Sequence, residues 1–370
     1  MRILHINSYY RAGIFYKNLY DKQIENGLDI DVYVPVSASV DPSALKLGDY
    51  TNISVNHGTY DRFLFHLKHI KIYKDIVKKY VLDKYSLIHA HSLFSNGFIA
   101  LKLKRNFGIP YVVAIRNTDV NTFFKYMIHL RKLGVQIISE AEKAIFLSKP
   151  YRNMVIEKFV PAKLKKDIFN KSEIIPNGID DYWLSNKPAK IKSVKNNKIN
   201  IVFVGQISRN KNVSTTINAC KVLLRRGYNV KFTVVGRIKD KQEYQVIRAH
   251  DFVTYVEHQP KEKLIDLYRE NDIFVMPSKT ETFGLVYAEA MSQGLPVIYT
   301  KGQGFDGQFD EGEVGYSVTY NSAEEIADRV LDVLTNYEKI SRNCIIKVDK
   351  FNWSKIAKEY IQIYSKYLKQ

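Results

Sequence analysis

Short, mainly apolar runs recur along the chain and alternate with longer segments in which apolar residues follow helical spacing. Such runs, bounded by turn residues, indicate buried strands, and their regular alternation with helices predicts βαβ units. The predicted strands lie at 2–7, 30–35, 86–90, 111–115, 144–148, 199–205, 231–236, 253–256, 273–276, 297–300 and 314–318. The pattern therefore predicts an α/β protein built on parallel, doubly wound sheets.

The chain has 370 residues, enough for two domains that each bury a core. Residues 186–197 are polar and rich in Lys and Asn, which is typical of a linker. Cys220 and Cys344 form no disulfide framework, which favours a reducing compartment. We see no secretory signal at the N-terminus and no apolar run long enough to cross a membrane. These features predict two domains in a cytoplasmic protein.

The segment Ile273–Thr300 predicts one complete strand, loop, helix and strand. The first strand ends at Met276, Gly284 precedes the helix, and Gly294 and Pro296 follow its end. Backbone amides at a helix N-terminus, together with the helix dipole, form a seat for an anion. Gly284 allows the backbone to approach that anion closely.

Two carboxylates mark this segment, Glu281 in the loop and Glu289 inside the helix. Glu289 is placed to accept hydrogen bonds from sugar hydroxyls. A phosphate seat beside two hydroxyl acceptors suits a nucleotide-sugar. The spacing alone is equally compatible with a Glu289 that faces solvent.

The string E-T-F-G-L-V-Y-A-E-A-M-S-Q-G-L-P-V-I, from Glu281 to Ile298, resembles the E-x7-E segment of the retaining GT-B glycosyltransferases of family 4, also called glycosyl transferases group 1. A second match is P-N-G-I-D at Pro176–Asp180, which in that family leads out of the first domain. The resemblance runs more loosely from Met1 to about Tyr367. It implies the GT-B fold class, with two Rossmann-like, doubly wound domains that face a central cleft.

The same resemblance implies the domain boundaries. We expect an N-terminal, acceptor-side domain at 1–185, a linker at 186–198 and a C-terminal, nucleotide-sugar-binding domain at 199–354. The last helix, at about 355–368, is expected to pack back on the N-terminal domain.

Roles for single residues also follow from the resemblance. In the family the first Glu approaches the donor sugar, the second holds the ribose, and the amides between them bind the diphosphate. The residues expected to act in catalysis are Glu281, Lys211 and Arg116. Those expected to bind the donor are Gly13, Gly205, Arg209, Lys211, His258, Phe283, Gly284, Leu285 and Glu289. The expected donor is a UDP-sugar, and neither a cofactor nor a metal ion is expected.

Three positions depart from the family pattern. Arg116 stands where many relatives have a His near the sugar; an Arg cannot act as a base near neutral pH, but it can hold a phosphate or carboxylate. Arg116 is also a candidate for a structural ion pair with Asp119. Gln206 stands where relatives have an Arg on the diphosphate, and Arg209 is close enough in sequence to replace it. Gly13 is the single glycine available in the first βα loop.

His89 and His91 alternate at the end of a predicted strand and resemble the H-x-H of GT-B chains. Alternating histidines can bind a metal ion, but we find no third ligand nearby in the sequence and expect no metal site. Asp29-Ile30-Asp31 spells D-x-D, a metal signature of a different glycosyltransferase fold. Its position at the start of a strand favours a structural role.

The formal charge of +18 is unevenly distributed. Between Arg62 and Lys171 the chain has 22 Lys and Arg against 7 Asp and Glu. Part of this region is an aromatic and basic segment with the members Phe123, Phe124, Lys125, Tyr126, His129, Arg131 and Lys132. The charge fits a solvated surface as well as a face for an anionic membrane. No nucleic-acid-binding motif accompanies it, so we expect the inner face of the membrane as a partner and no nucleic acid.

The sequence thus predicts a retaining glycosyltransferase that moves a sugar from a nucleotide-sugar to a hydroxyl of a glycan or lipid-linked acceptor in surface polysaccharide biosynthesis. Charge on the leaving diphosphate would be stabilised by Lys211, Arg209 and the amides near Gly284. The alternative is a non-catalytic GT-B protein that binds a nucleotide-sugar or serves as a partner subunit. Arg116 and Gln206 keep that alternative open.

Overall fold

The computed structural model describes residues 2–10, 15–45, 47–194 and 197–367, and of Arg62 only the backbone. The strands are β1 (Arg2–Ile6), β2 (Asp29–Ser37), β3 (Thr51–His57), β4 (Leu87–Ala90), β5 (Tyr111–Ala114), β6 (Lys143–Phe146), β7 (Ser172–Ile174), β8 (Lys198–Val204), β9 (Asn229–Val235), β10 (Val253–Val256), β11 (Ile273–Val275), β12 (Val297–Thr300) and β13 (Gly315–Val318). The helices are α1 (Phe15–Glu25), α2 (Phe65–Lys79), α3 (Ser95–Phe107), α4 (Arg131–Glu140), α5 (Lys149–Phe159), α6 (Ala162–Asn170), α7 (Asp181–Ser185), α8 (Val213–Arg225), α9 (Lys241–Arg248), α10 (Lys261–Glu270), α11 (Leu285–Ser292), α12 (Ala323–Thr335), α13 (Tyr337–Lys347) and α14 (Trp353–Ser365).

The first unit is built on a parallel sheet with the strand order β3-β2-β1-β4-β5-β6-β7. Both faces of its central strands are buried, which explains why they are apolar at successive positions rather than alternating. On one face Leu4 and Ile6 join a core with residues of α2 and α3. On the other face Ile3 joins a core with residues of α1 and α14, among them Trp353 and Tyr364. The final helix therefore belongs to the unit that the first strand opens.

The second unit contains a parallel sheet with the order β10-β9-β8-β11-β12-β13. The chain order reverses between β8 and β11, as it does between β1 and β4 in the first unit. In doubly wound sheets ligands bind at such reversals, outside the carboxyl ends of the strands. Two parallel, doubly wound sheets confirm the predicted α/β class.

The boundary between the two units lies earlier in the chain than the boundary predicted from the sequence. The prediction assigned 177–185 to the N-terminal domain, whereas the structure groups Asn177–Asn352 with the second unit. Two contacts explain this grouping. The Trp183 ring meets the Tyr268 ring edge-on at a centroid distance of 5.8 Å, and Lys261 Nζ lies 2.8 Å from a carboxylate oxygen of Asp180.

Within the described residues, every helix is too short or too polar to cross a lipid bilayer.

Candidate active site

A cavity of about 610 Å³ opens in the second unit where β8 and β9 end. Gly205 and Gln206 follow β8, and Gly236 and Arg237 follow β9. The two strand ends approach closely because Gly236 has no side chain: a Cβ there would lie 1.8 Å from the carbonyl oxygen of Gly205. The cavity thus occupies the position beside the strand reversal where a ligand is expected.

Helix α11 borders the same cavity. Gly284, its N-cap, has a φ of +75°, and a Cβ there would lie 2.5 Å from the Tyr287 ring. A left-handed conformation in so little space requires glycine. The Tyr287 hydroxyl fixes the start of the helix by donating to the carbonyl oxygen of Met276 at 2.6 Å. The amide of Tyr287 donates to the carbonyl oxygen of Gly284 at 3.0 Å, whereas the amide of Leu285, at the first position of the helix, has no acceptor one turn earlier in the helix and can meet an anion.

Glu289 lines the cavity from the second turn of α11. Burial, reinforced by the carboxylate of Asp180, raises the pKa of Glu289 from 4.5 to about 7. The side chain is half-buried in the cavity wall, and a ligand that brings hydroxyl groups could donate hydrogen bonds to the carboxylate. Glu289 is therefore not the solvent-facing helix residue that the sequence also allowed.

Lys211 and Glu281 form a salt bridge in which both side chains are largely buried. The loops that carry them are tied together, because Asn210 Nδ2 donates to the carbonyl oxygen of Thr280 at 2.9 Å. Asn212 Nδ2 adds a hydrogen bond of 3.0 Å to the carbonyl oxygen of Pro277. The sequence predicted that Lys211 and Glu281 would act at one site, and the structure brings them together.

Three other predicted donor residues have different surroundings. His258 lines the cavity. Phe283 is buried, with its ring 5.4 Å from that of Phe351, so only its backbone can reach a ligand. Arg209 has a side chain that is 66% exposed and pairs with Asp240 at 3.1 Å, outside the cavity lining. The proposed replacement of the missing arginine by Arg209 stays a prediction.

Two cationic residues that line the cavity, Arg237 and Lys261, were not predicted from the sequence. Arg237 follows Gly236 at the end of β9, the same strand-glycine pattern that drew attention to Gly205. That repeated pattern was the signal that could have identified Arg237. Lys261 gave no comparable signal, because its position depends on how α10 packs beside Asp180.

Arg116 lies in the first unit, after β5. Its guanidinium stands over the Tyr16 ring at 5.9 Å, and its Nε donates to the carbonyl oxygen of His91 at 3.4 Å. Asp119 accepts from the backbone amide of Arg116 at 2.9 Å and from the amide of Leu93 at 2.9 Å. Burial raises the pKa of Asp119 to about 6. Asp119 is thus held mainly by backbone amides.

Gly13, the remaining predicted residue, lies outside the described residues.

The histidine pair has a third member that the sequence analysis did not find. His5 on β1 is paired in register with His89 on β4, and ring nitrogens of His5, His89 and His91 lie within 4.8 Å of one another. The statement that no third ligand lies nearby was wrong, because the strand pairing joins residues that are far apart in sequence. His5 Nδ1 and His91 Nε2 are 2.9 Å apart, and burial lowers the pKa of all three imidazoles. The cluster is fully buried beside the cationic Arg116.

The aromatic and basic segment is less exposed than the sequence implied. Phe124 is fully buried and stacks on Phe159, with ring centroids 4.7 Å apart. Phe123 stacks on Phe94 at 4.7 Å. The Phe124 ring completes the core beneath α4 and cannot form a membrane face, and the partly buried Phe123 ring packs against that core. Tyr126, which is 68% exposed, is the predicted aromatic that remains available.

Two family models cover most of the chain. Residues 12–182 match the model described as Glycosyltransferase Family 4, and residues 186–350 match Glycosyl transferases group 1. An uncharacterized glycosyltransferase of Methanocaldococcus jannaschii is 30% identical over 311 residues, which cover 76% of each chain. The chain belongs to the group 1, family 4-like glycosyltransferases.

Two further relatives of this glycosyltransferase bear on its function. The capsular polysaccharide biosynthesis glycosyltransferase CapM of Staphylococcus aureus is 28% identical over 230 residues, 58% of this chain and 60% of CapM. The crystal structure of Anabaena HepE in complex with UDP superposes with a TM-score of 0.71 at 15% identity, over 99% of this chain and 100% of HepE. The likeness to HepE shows that the fold is GT-B.

Proposed function

We propose that this glycosyltransferase transfers a sugar from a UDP-sugar to a hydroxyl of a glycan or lipid-linked acceptor, with retention of anomeric configuration. The observation that carries the proposal is the cavity of the second unit, which Glu289 lines beside the N-terminus of α11. A carboxylate that can accept from ribose hydroxyls lies there next to amides that can bind a diphosphate. That HepE was crystallised with UDP in the same fold supports uridine as the base.

The chemistry follows from where charge develops. When the bond between the sugar and the diphosphate breaks, negative charge grows on the leaving phosphate. Lys211 and the first-turn amides of α11 stabilise that charge, and loss of one donor of this kind typically costs about 3–4 kcal/mol. The departing phosphate takes the acceptor proton. The catalytic part of Glu281 is to hold the donor sugar, and Arg116 grips an anionic group of the substrates in place of the usual histidine.

The salt bridge between Lys211 and Glu281 requires an exchange of partners. While it is intact, the charge of Lys211 is neutralised by Glu281. A diphosphate carries more negative charge than one carboxylate and therefore competes for the ammonium group. The carboxylate of Glu281 is then released and can accept a hydrogen bond from a hydroxyl of the donor sugar. On this proposal the diphosphate is neutralised by protein groups, and no metal ion is required.

The acceptor is proposed to be part of surface polysaccharide synthesis at the inner face of the membrane. The name of CapM, which refers to capsular polysaccharide, supports the first part. The second part is supported by an exposed patch that joins Tyr126 and Ile128 to Lys125, His129 and Lys132. An exposed aromatic and an aliphatic residue among cations fit the interface of an anionic bilayer. We call this group of five the exposed basic patch.

The test is a transfer assay with a panel of UDP- and GDP-sugars, read first by thermal shift and then by release of the nucleotide. We expect a UDP-sugar to raise the melting temperature by mass action and to be cleaved with retained configuration at the transferred sugar. Binding without cleavage, even with extracts that contain lipid-linked acceptors, would favour the non-catalytic alternative. Binding of GDP-sugars alone would refute uridine.

A further inference from the structure

Gln206 and Arg237 lie side by side at the carboxyl ends of two paired strands. β8 and β9 are parallel and pair residue for residue up to their last positions. The same register continues beyond the strands, in a bridge between Ile207 and Ile238 and in a hydrogen bond of 2.9 Å from the amide of Ile207 to the carbonyl oxygen of Arg237. Gln206 therefore stands directly opposite Arg237, and both residues line the cavity that Glu289 borders.

The cations in and around the donor site differ in whether a carboxylate already neutralises them. Three of them have an acidic partner. The pairs are Lys211 with Glu281, Lys261 with Asp180, and Arg209 with Asp240. Arg237 is exposed, and its side chain makes no ion pair and no hydrogen bond within the part of the chain that the structure describes. Its positive charge is therefore available to a ligand.

A guanidinium group without a partner at the wall of a cavity is suited to an anion. It is planar and always charged, and it can hold a phosphate with two parallel hydrogen bonds. The amide of Gln206 is neutral and offers no such charge. In related chains an arginine at the position of Gln206 contacts the diphosphate. Arg237 brings the same group to the neighbouring position of the same cavity, from the next strand of the sheet.

We propose that Arg237 binds a phosphate of the donor nucleotide and takes the place of the arginine that is absent at Gln206. The inference rests on the proposed use of a nucleotide-sugar and adds a residue that holds the nucleotide. Arg209, the replacement expected from sequence distance, is neutralised by Asp240 and lies outside the cavity lining. The position of Arg237 depends on strand pairing, which sequence distance does not show.

The first experiment measures binding of uridine, UMP and UDP to the wild type and to Arg237→Met, which keeps a long unbranched side chain without charge. Affinity for UDP should fall roughly tenfold or more, because a charge-assisted hydrogen bond to phosphate is lost. Affinity for uridine, which has no phosphate, should stay within about twofold. A merely structural role of Arg237 would weaken the binding of all three ligands alike.

The matched control is Arg248→Met, the same substitution at the exposed last residue of α9, which is outside the cavity lining. We expect this variant to bind UDP as the wild type does. Urea denaturation of both variants checks that they are folded. Should Arg237→Met not fold, Arg237→Gln repeats the titrations with a polar side chain.

The second experiment moves the charge to the position that it has in related chains. Gln206→Arg is introduced into Arg237→Met, and the double variant should regain most of the UDP affinity that the single variant lost. A double variant that binds UDP no better than Arg237→Met would show that the two positions do not serve the same phosphate. That result would overturn the replacement of one arginine by the other.

A comparison with Arg209→Met decides between the two candidate replacements. We expect it to lose less UDP affinity than Arg237→Met, because Asp240 already neutralises Arg209. A larger loss in Arg209→Met would assign the phosphate to Arg209 and overturn the proposal.

The remaining outcomes separate this proposal from the proposed function. If the wild type binds UDP and Arg237→Met binds it equally well, the role of Arg237 is refuted and glycosyl transfer from a UDP-sugar stands. If Arg237→Met loses uridine and UDP affinity to the same extent, Arg237 contacts the nucleoside and its assignment to phosphate is wrong. If the wild type binds none of UDP, GDP and ADP, the proposed function fails, and the role of Arg237 fails with it.

Discussion

Replacing Glu289 by Gln should remove a pH dependence from nucleotide binding. In the free protein burial raises the pKa of this carboxyl from 4.5 to about 7. Ribose hydroxyls that donate to the carboxylate favour its ionised form and so lower the pKa again. Binding then releases a proton, and the affinity for UDP rises as the pH rises through 7. The amide introduced by Glu289→Gln cannot ionise and contributes nothing to this rise.

The pKa values limit the size of the effect. If bound UDP returned the pKa of Glu289 fully to its ordinary value, affinity at pH 6 would be about tenfold lower than at pH 8. A partial return gives a smaller ratio, so tenfold is the upper limit. UDP has its own protonation, with a phosphate pKa of about 6 in comparable groups. Because Glu289→Gln retains that contribution, the difference between the two proteins isolates Glu289.

The raised pKa of Glu289 also predicts how the free energy of unfolding depends on pH. The unfolded chain has the ordinary pKa of 4.5, so between 4.5 and 7 the folded state binds more protons, and the stability that Glu289 contributes falls as the pH rises. A rise in pKa of this size corresponds to about 3 kcal/mol as an upper limit. Without nucleotide, Glu289→Gln should therefore be more stable than wild type at about pH 8, and this advantage should vanish at about pH 4.

Titration calorimetry in buffers of different ionisation enthalpy measures affinity and released protons together, and urea denaturation measures stability. We expect the wild type to release a fraction of a proton near neutral pH and Glu289→Gln to release less. An identical pH profile for the two proteins, with equal affinity at pH 8, would refute a role for Glu289 at the nucleotide. A stability difference that does not change with pH would refute the raised pKa.

Three further predictions concern the donor site and the exposed basic patch. Lys211→Met should lower the single-turnover rate roughly 100- to 1000-fold and weaken UDP binding less, because the negative charge on the leaving phosphate is largest in the transition state. Lys211→Arg should retain more of the rate. Equal losses in the single-turnover rate and in UDP affinity would contradict this prediction. Gly284→Ala should lower the free energy of unfolding by about 1–3 kcal/mol in urea and weaken UDP binding, because a φ of +75° strains an alanine and its Cβ would lie 2.5 Å from the Tyr287 ring. An unchanged midpoint of urea unfolding would refute the strain. The double variant Lys125→Glu, Lys132→Glu should no longer sediment with phosphatidylglycerol vesicles at low salt, because each cation near such a surface contributes about 1 kcal/mol. If the wild type does not sediment with these vesicles either, the membrane face is refuted.

Arg131 is unsuitable for a charge-reversal test of the membrane face, although it lies in the same sequence segment. Its Nε donates to the carbonyl oxygen of Phe124 at 2.7 Å, and its guanidinium stands over the Phe159 ring at 5.2 Å. Changing Arg131 would disturb the buried aromatic pair and confuse loss of structure with loss of charge. Lys125 and Lys132 are exposed, and the one ring contact given for Lys125, at 5.1 Å, is with the exposed Tyr126, so changing the two lysines leaves the buried aromatic pair intact.

Features that depend on neighbours in sequence were predictable. Both ends of α11 were predictable, because a glycine precedes this apolar helix and a proline follows it within one short segment. Eleven of the thirteen described strands were predicted, because strands buried on both faces are short apolar runs. The edge strands β3 and β7 were missed, because most of their residues are not buried and they do not form such runs. That the sheets are parallel and doubly wound was predictable from the alternation of strand and helix, whereas the order of the strands comes from the structure. That Lys211 and Glu281 belong to one site came from the family pattern, since the two residues are far apart in sequence, and the salt bridge between them was not predicted.

Features that depend on packing between distant segments were not predictable. His5 reaches His89 because β1 and β4 are neighbours in the sheet, and nothing near His5 in the sequence indicates this. Phe124 resembles a membrane aromatic by its basic neighbours, yet the space beneath α4 requires its ring in the core. In both cases composition gives the chemical type of a side chain, and the fold decides what that side chain meets.

Lys211 illustrates how the two kinds of information combine. The sequence predicted it as a cation for the diphosphate, and the structure pairs it with the carboxylate of Glu281. A cation with no partner in a largely buried site would be costly, because burial removes its hydration. The salt bridge with Glu281 offsets that cost, and on the proposed mechanism the diphosphate would replace the carboxylate. The proposed mechanism therefore uses one charge both to stabilise the protein and to bind the substrate, and the exchange of partners would link donor binding to the release of Glu281 towards the sugar.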